Sequence, residues 1–251
     1  MTWKNTDNKT EAKPSIQFQT LKEAKVDRGI KILSYGNFST GKTHFALSSK
    51  GPVYIIDTEN GASPLADKFP DAKVISLSNM DNENVEEKDE VNNFQKYIDV
   101  VDYLFNLPDG EVGTIIVDSI SDIWEYAQAY AKVKVFKIGI EDRLKQQWDW
   151  GIINKLYIKP LQKLIDKKCN VILTSRHGEV YNGPGKPSGI FEPKCQKRTP
   201  YLVDVVLFHE LKYSNKKLNY QCKIEKCRQN GTLIGKIIEN PTIEQIEELI
   251  K

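Results

Sequence analysis

Long apolar runs are missing from this sequence. No stretch of its 251 residues approaches the roughly 18 that a membrane-crossing helix requires, and Met1 to Lys13 is polar, of mixed charge and without an apolar leader core. Both absences argue against a membrane partner and lead to the expectation of a soluble, cytoplasmic protein. Cysteine is scarce as well: Cys169, Cys195, Cys222 and Cys227 are scattered, and none belongs to a C-x-x-C pair. That speaks against a disulfide framework or a zinc knuckle, so four reduced thiols are expected. Cys222 and Cys227 lie five apart in an alternating run, which predicts opposite faces of one strand. Net charge is nearly absent too, with 36 Lys and Arg against 34 Asp and Glu, so bulk charge points to neither nucleic acid nor a lipid surface.

The charge that is present is unevenly spread. Tyr54 to Glu125 carries 17 acidic against 4 basic residues, whereas Lys159 to Lys236 carries 16 basic against 6 acidic. The last third of the chain is therefore a candidate anion-seeking surface. Residues 1–28 are rich in Lys, Asn, Thr and Glu and predict a flexible arm anchored by Ile16, Phe18 and Leu21, ahead of a single domain over 29–251.

Within that domain, residues 36–43 read Gly-Asn-Phe-Ser-Thr-Gly-Lys-Thr, a complete G-x-x-x-x-G-K-[ST] phosphate loop preceded by the apolar run Ile30, Ile32, Leu33. Gly36 and Gly41 let the backbone turn so that successive amides converge on a phosphate. Gly36, Asn37, Phe38, Ser39, Thr40, Gly41, Lys42, Thr43 and His44 are thus the predicted nucleotide-binding residues. Lys42 reaches the β- and γ-phosphates, and Thr43 offers its hydroxyl to Mg²⁺. The sequence holds no N-K-x-D guanine-reading motif, which favours ATP as the nucleotide.

Short apolar strands alternate with longer amphipathic segments, the pattern of a mostly parallel sheet flanked by helices. The strands are expected at 30–34, 53–57, 74–77, 114–118 and 170–175, and the helices at 91–105, 121–135 and 152–167, the last kinked or split by Pro160. Asp81 to Glu90 reads as a solvated loop. Runs at 202–211, 218–227 and 233–238, separated by Ser214-Asn215 and Asn230-Gly231, predict an antiparallel C-terminal extension that ends in a short helix from about Thr242.

Two of the strands end in acids. Thr114-Ile115-Ile116-Val117-Asp118 has the form of a Walker B strand, in which Asp118 orients Thr43 or a Mg²⁺-bound water; capping of the next helix is the alternative. Val53 to Asp57 runs into Thr58-Glu59, placing Asp57 and Glu59 at the carboxyl edge of a parallel sheet, where Glu59 is the candidate base for the attacking water rather than part of a solvated acidic turn.

Ile55-Ile56-Asp57-Thr58-Glu59 and Ile116-Val117-Asp118-Ser119, with the spacing to Val171-Ile172-Leu173-Thr174-Ser175, resemble the core of the RecA-like ATPases. Trp148-Asp149-Trp150-Gly151 and Ser175-Arg176-His177 make the chain similar to the short phage-encoded, AAA-type members linked to single-strand annealing and recombination. The resemblance implies a RecA-like P-loop NTPase core and a DNA-stimulated ATPase acting on single-stranded DNA. It also implies a homo-oligomer, ring or filament, with phage recombination or replication proteins as possible partners. It places Arg176 or His177 where a polar residue senses the γ-phosphate; RecA itself has glutamine there, which leaves that chemistry open, and an exposed loop histidine is the plainer reading of His177.

Val180 to Arg198 follows, rich in Gly and Pro and carrying Lys186, Lys194, Lys197 and Arg198. It predicts a mobile basic loop with Tyr181 and Phe191 available to stack on bases, or a surface loop without a partner. Lys226-Cys227-Arg228 is a K-x-R triplet whose two cations share a strand face and reach one phosphate. The resemblance implies that they reach the nucleotide of a neighbouring subunit, against the simpler reading of an exposed basic strand end. A hexameric helicase or translocation motor remains an alternative, although no primase, zinc or origin-binding module accompanies the core. A nucleotide-dependent scaffold with little hydrolysis is another.

Overall fold

The computed structural model describes residues 18–22, 28–77, 88–183, 185–214 and 217–251. Ile16, most of the expected N-terminal arm, Asp81 to Glu87, Pro184 and Asn215 lie outside the described residues. Phe18 and Leu21 are 97% and 93% exposed, so they do not anchor the arm.

One nine-stranded sheet organises the described residues. Its strands are β1 (Lys31–Gly36), β2 (Val53–Asp57), β3 (Lys73–Ser76), β4 (Thr114–Asp118), β5 (Asn170–Tyr181), β6 (Pro187–Pro193), β7 (Val205–Ser214), β8 (Lys217–Cys227) and β9 (Ile237–Glu239). The order is β3-β2-β4-β5-β1-β7-β8-β9, with β6 paired to β5. Strands β3 through β7 on this path are parallel, and the direction reverses at β8 and again at β9. The α/β core and its antiparallel C-terminal extension are as expected, except that β7 joins the parallel part beside β1.

The parallel strands are buried on both faces, and their side chains divide by parity. Leu33, Tyr35, Ile115, Val117, Val171 and Leu173 enter one core, while Ile32, Ile116 and Ile172 enter the other. Helices α2 (Lys88–Asn106), α3 (Ile120–Tyr130) and α4 (Asp149–Asp166) flank the sheet. In the first core α2 buries Phe94, Tyr97, Val101 and Leu104, and α4 buries Tyr157, Leu161, Leu164 and Ile165, both at helical spacing. The second core takes α1 (Lys42–Leu47) and α6 (Ile243–Ile250), while the one-turn α5 (Thr199–Leu202) leads into β7. A capping box between Thr242 and Gln245 starts α6, from which Ile243 and Ile246 are buried. Pro160 does not split α4: the helix runs through it with the ring buried. Lys88 to Glu90, expected in a loop, already belong to α2.

Two sequence expectations fail for local reasons. The segment from Val180 is not a loop: β5 continues through Arg176 and His177 to Tyr181 and pairs with β6 as an antiparallel hairpin. Pro187 and Pro193 open and close β6 with Gly189 inside it at φ 71°, and Phe191 is not free to meet a base, because its ring stacks on His177 at 4.7 Å and Phe208 at 6.2 Å. Cys222 and Cys227 face the same core rather than opposite sides. A bulge steps the pairing from Lys226–Val206 to Ile224–Leu207, skipping Glu225 and reversing the parity of β8. The displaced Glu225 accepts a 2.5 Å hydrogen bond from the Tyr35 hydroxyl. All four cysteines are free thiols.

Candidate functional site: a phosphate cleft at the carboxyl edge of the sheet

Register brings the polar strand ends into one row. Asp57 pairs with Asp118, and Gly36 lies between Arg176 on β5 and His209 on β7. Beyond this row the loop 37–41 rises into α1 with Ser39 and Gly41 in left-handed conformations. Glycine is required at both ends of the loop for different reasons. A Cβ on Gly36 would lie 2.3 Å from the His209 carbonyl oxygen, whereas Gly41 has φ 83° and would bring a Cβ to 3.1 Å from the Tyr220 ring.

A cleft of about 1110 Å³ surrounds this loop. Lys42 Nζ donates to the carbonyls of Gly36 (3.2 Å) and Asn37 (2.6 Å), and burial lowers its pKa against the opposing pull of Asp118 and Glu59. Thr43 donates its hydroxyl to Asp118 Oδ2 at 2.6 Å, and Thr174 donates to Oδ1 of the same carboxylate. Asp118 is buried, which raises its pKa, while the two hydroxyl donors pull the other way. Its carboxylate faces β5 and the phosphate loop, so it does not cap α3: Ser119 occupies that cap position.

This oxygen-only pair fits Mg²⁺. A hydroxyl beside one carboxylate is the partial shell that Mg²⁺ completes with water and phosphate oxygens. Thr43 and Asp118 are the residues that would hold it. Among the described residues no cluster of three or more His, Cys, Asp or Glu forms a cage independent of a ligand.

Glu59 is exposed at the cleft, where its carboxylate lies 3.2 Å from Ser119 Oγ and 3.8 Å from Arg176 Nε. Asp57 has a different task. Its carboxylate accepts the backbone N–H groups of Glu59, Gly61 and Ala62 at 2.9–3.2 Å and so shapes the turn that presents Glu59. Arg176 is also paired with Asp122, and at 3.8 Å with Glu125. Thr58 and Ser119 donate to the other Asp122 oxygen at 2.6 and 2.9 Å. His177 lies over the hairpin rings, half-buried and not in a loop.

Lys226 and Arg228 are not in this cleft. They sit at the opposite edge of the sheet, where Lys226 Nζ donates to the carbonyls of Pro200 (2.6 Å) and Val203 (2.7 Å). Arg228 donates to Asp204 (3.2 Å) and the Tyr201 carbonyl (2.8 Å).

Three residues of the cleft region escape motif reading. Asp122 organises Arg176, Ser119 and Thr58 from the first turn of α3. His209 is buried under the loop with its ring 5.1 Å from Phe45, and burial, with Lys42 adding to it, drives its pKa down to about 3. Its signal was present, since Val205, Leu207 and His209 share the buried parity of β7. Tyr220 gave none.

Comparison with known proteins agrees with this arrangement. No curated protein sequence matches the chain. Among solved structures, the RadB recombinase superposes with a TM-score of 0.52 at 15% identity, covering 84% of this chain and 86% of that one. A KaiC-like protein from the hyperthermophilic archaeon Pyrococcus horikoshii OT3 gives 0.46 at 20% identity over 84% of each chain. The sheet order and loop placement are those of the RecA-like P-loop fold. A family described as an AAA domain matches residues 28–233, so the chain belongs to the AAA domain family.

Proposed function

We propose that the chain binds ATP with Mg²⁺, hydrolyses it, and couples the cycle to single-stranded DNA as a homo-oligomer in phage-type recombination, annealing or repair. One observation carries the nucleotide reading: Lys42, the Thr43–Asp118 pair and Glu59 converge on one cleft around a complete phosphate loop. Bound Mg²⁺ would supply positive charge to the phosphate oxygens. Lys42 would neutralise the β- and γ-phosphates, and Asp118 would hold Thr43 in orientation. Glu59 would accept the proton of an attacking water, presented on the turn that the Asp57 carboxylate shapes. Arg176, on the strand that begins the hairpin, is the candidate sensor linking the γ-phosphate to that hairpin.

The DNA reading rests on this chain's own residues, the basic last third and the β5–β6 hairpin with exposed Tyr181. The test is ATP turnover at low salt with and without single-stranded DNA, beside fluorescence anisotropy of a labelled oligonucleotide. Stimulation and binding are expected. Equal turnover in both conditions with no anisotropy change would remove the DNA coupling and leave a nucleotide-dependent scaffold. Unwinding of a forked duplex would favour the motor instead. Glu59→Gln is expected to slow hydrolysis by about a hundredfold or more while ATP still binds.

A further inference from the structure

Arg176 stands beside three carboxylates, Asp122, Glu59 and Glu125, and pairs most closely with the most enclosed of them. The Asp122 side chain is 13% exposed, against 48% for Glu59 and 42% for Glu125. One Asp122 oxygen accepts from Arg176 Nη2, and the other accepts the hydroxyls of Thr58 (2.6 Å) and Ser119 (2.9 Å). Thr58 directly precedes Glu59 at the end of β2, Arg176 lies on β5, and β4 runs between those two strands. A single carboxylate on the first turn of α3 therefore bridges strand ends that are not neighbours in the sheet. An acid three residues past Ser119 stands where a capping-box partner would, yet it has a different task. Ser119 N–H donates to Thr58 Oγ1 at 2.8 Å instead, and the Ser119 side chain makes no cap bond. The backbone of Arg176 is held separately, its N–H donating to buried Ser121 Oγ at 3.0 Å. What Asp122 fixes on β5 is thus the guanidinium and not the strand.

We infer that Asp122 is a positioning residue that locks the Arg176 guanidinium to the Glu59 end of β2, so that the group reading the γ-phosphate and the base for the attacking water are held as one unit. The inference rests on the nucleotide-hydrolysing reading above. Arginine presents its donors in a planar fork, and Asp122 takes one end of it. Arg176 Nε is buried without a hydrogen-bond partner and lies 3.8 Å from Glu59 on the cleft wall. Among the described residues, the other carboxylates within 4 Å of the guanidinium are Glu59 and Glu125. Removing the Asp122 charge therefore turns the arginine onto the candidate base itself. With Asp122 in place the long side chain is ordered by folding, before any ligand arrives, and little freedom is left to lose when a phosphate meets it.

Titration calorimetry of the full chain with ADP and with a non-hydrolysable ATP analogue, each with Mg²⁺, reads the γ-phosphate contact without turnover; steady-state ATPase rates accompany it. Asp122→Asn keeps an acceptor for the two hydroxyls and removes the charge that holds Arg176. It is expected to cut the preference for the triphosphate over ADP about tenfold and kcat about tenfold to a hundredfold. ADP affinity should stay within about twofold, and the thermal midpoint near that of the parent. Because Asp122 acts through Arg176, adding Asp122→Asn to Arg176→Gln should remove no further preference, and Asp122→Glu should fall between Asp122→Asn and the parent. An unchanged preference in Asp122→Asn would overturn the inference, whatever the rate. So would losses that add in the double variant, or an equal loss for both nucleotides in step with a lower thermal midpoint, which would make Asp122 a structural prop. Should Asp122→Asn not fold, Asp122→Glu is read in its place, alone and with Arg176→Gln, for the same triphosphate-selective and non-additive loss. A parent that binds neither nucleotide would instead remove the nucleotide reading itself. One that binds both alike would spare that reading and overturn the role given to Asp122.

Discussion

The two edges of the sheet are built from the same groups and finished in opposite ways. At the edge away from the cleft, Lys31 is fully buried and its ammonium donates to three backbone carbonyls, those of Arg28 (2.8 Å), Lys167 (2.8 Å) and Cys169 (2.5 Å). Buried Asp204 beside it accepts from Arg28, Arg228 and the Lys31 backbone N–H. At the cleft edge, Lys42 holds only two carbonyls of its own loop. Of the five buried side-chain polar atoms without a hydrogen-bond partner among the described residues, three, Arg176 Nε, His177 Nδ1 and His209 Nε2, are on cleft-lining residues, and Ser34 Oγ and Tyr97 Oη lie elsewhere. Folding tolerates a few unpaired buried polar atoms, each at a cost, and concentrating them around one cavity is the mark of a surface shaped for a ligand. A lysine enclosed by the fold and a lysine facing a cavity should therefore fail differently when removed.

The sharpest contrast is Lys42 against Lys31. Lys42→Ala is expected to lower ATP turnover by about a hundredfold to a thousandfold, since a preorganised cation facing the phosphates is lost, while the thermal midpoint stays near that of the parent. Lys31→Met should do the reverse, costing about 2 kcal/mol of unfolding free energy because three enclosed carbonyls lose their donor. Turnover of the folded fraction should be kept. Denaturant melts and steady-state ATPase rates on both variants make the comparison, and matching profiles in the two would abolish the distinction between the edges.

Titration sharpens it further. Burial lowers the Lys31 pKa from 10.5 to about 8. Between those values the unfolded chain holds the proton and the folded protein releases it, so the unfolded state binds more protons. The Lys31 contribution to stability is thus flat below about pH 8 and rises towards pH 10.5. The neutral amine still donates two hydrogen bonds to the carbonyls around it. The stability difference between the parent and Lys31→Met is expected to grow by about 1–3 kcal/mol across that window, read from urea melts at a series of pH values. A constant difference would mean that Lys31 is not the group that titrates.

The cleft edge was legible in the sequence where local pattern sets position. The phosphate loop is contiguous, and Glu59 and Asp118 each follow a short apolar strand, so strand direction alone carries them to the carboxyl edge. His209 and Tyr220 reach the cleft only through sheet order, which a motif does not encode. The hairpin was hidden because Pro187, Gly189 and Pro193 are equally at home in a loop and in an edge strand such as β6. The parity of β8 was hidden for a more local reason, since one unpaired residue, Glu225, reverses every assignment beyond it while the run still alternates to the eye.

The smallest expected effect tests whether the far edge is wholly structural. Arg228 is about half exposed, with a 3.2 Å contact to Asp204, which Arg28 and the Lys31 amide also satisfy. Its removal in Arg228→Ala should therefore cost less than about 1 kcal/mol of stability, as exposed ion pairs generally do. Lys226 is more firmly committed, through its two short bonds to the carbonyls of Pro200 and Val203. If Arg228 also reaches a neighbouring subunit's phosphates, its loss would lower ATPase activity far beyond that small destabilisation. The defect would then be rescued in part by mixing Arg228→Ala with Lys42→Ala subunits, because each supplies what the other lacks at one shared site. Activity that merely follows stability, with no rescue on mixing, would assign Arg228 to the far edge alone and leave the cleft complete within a single chain.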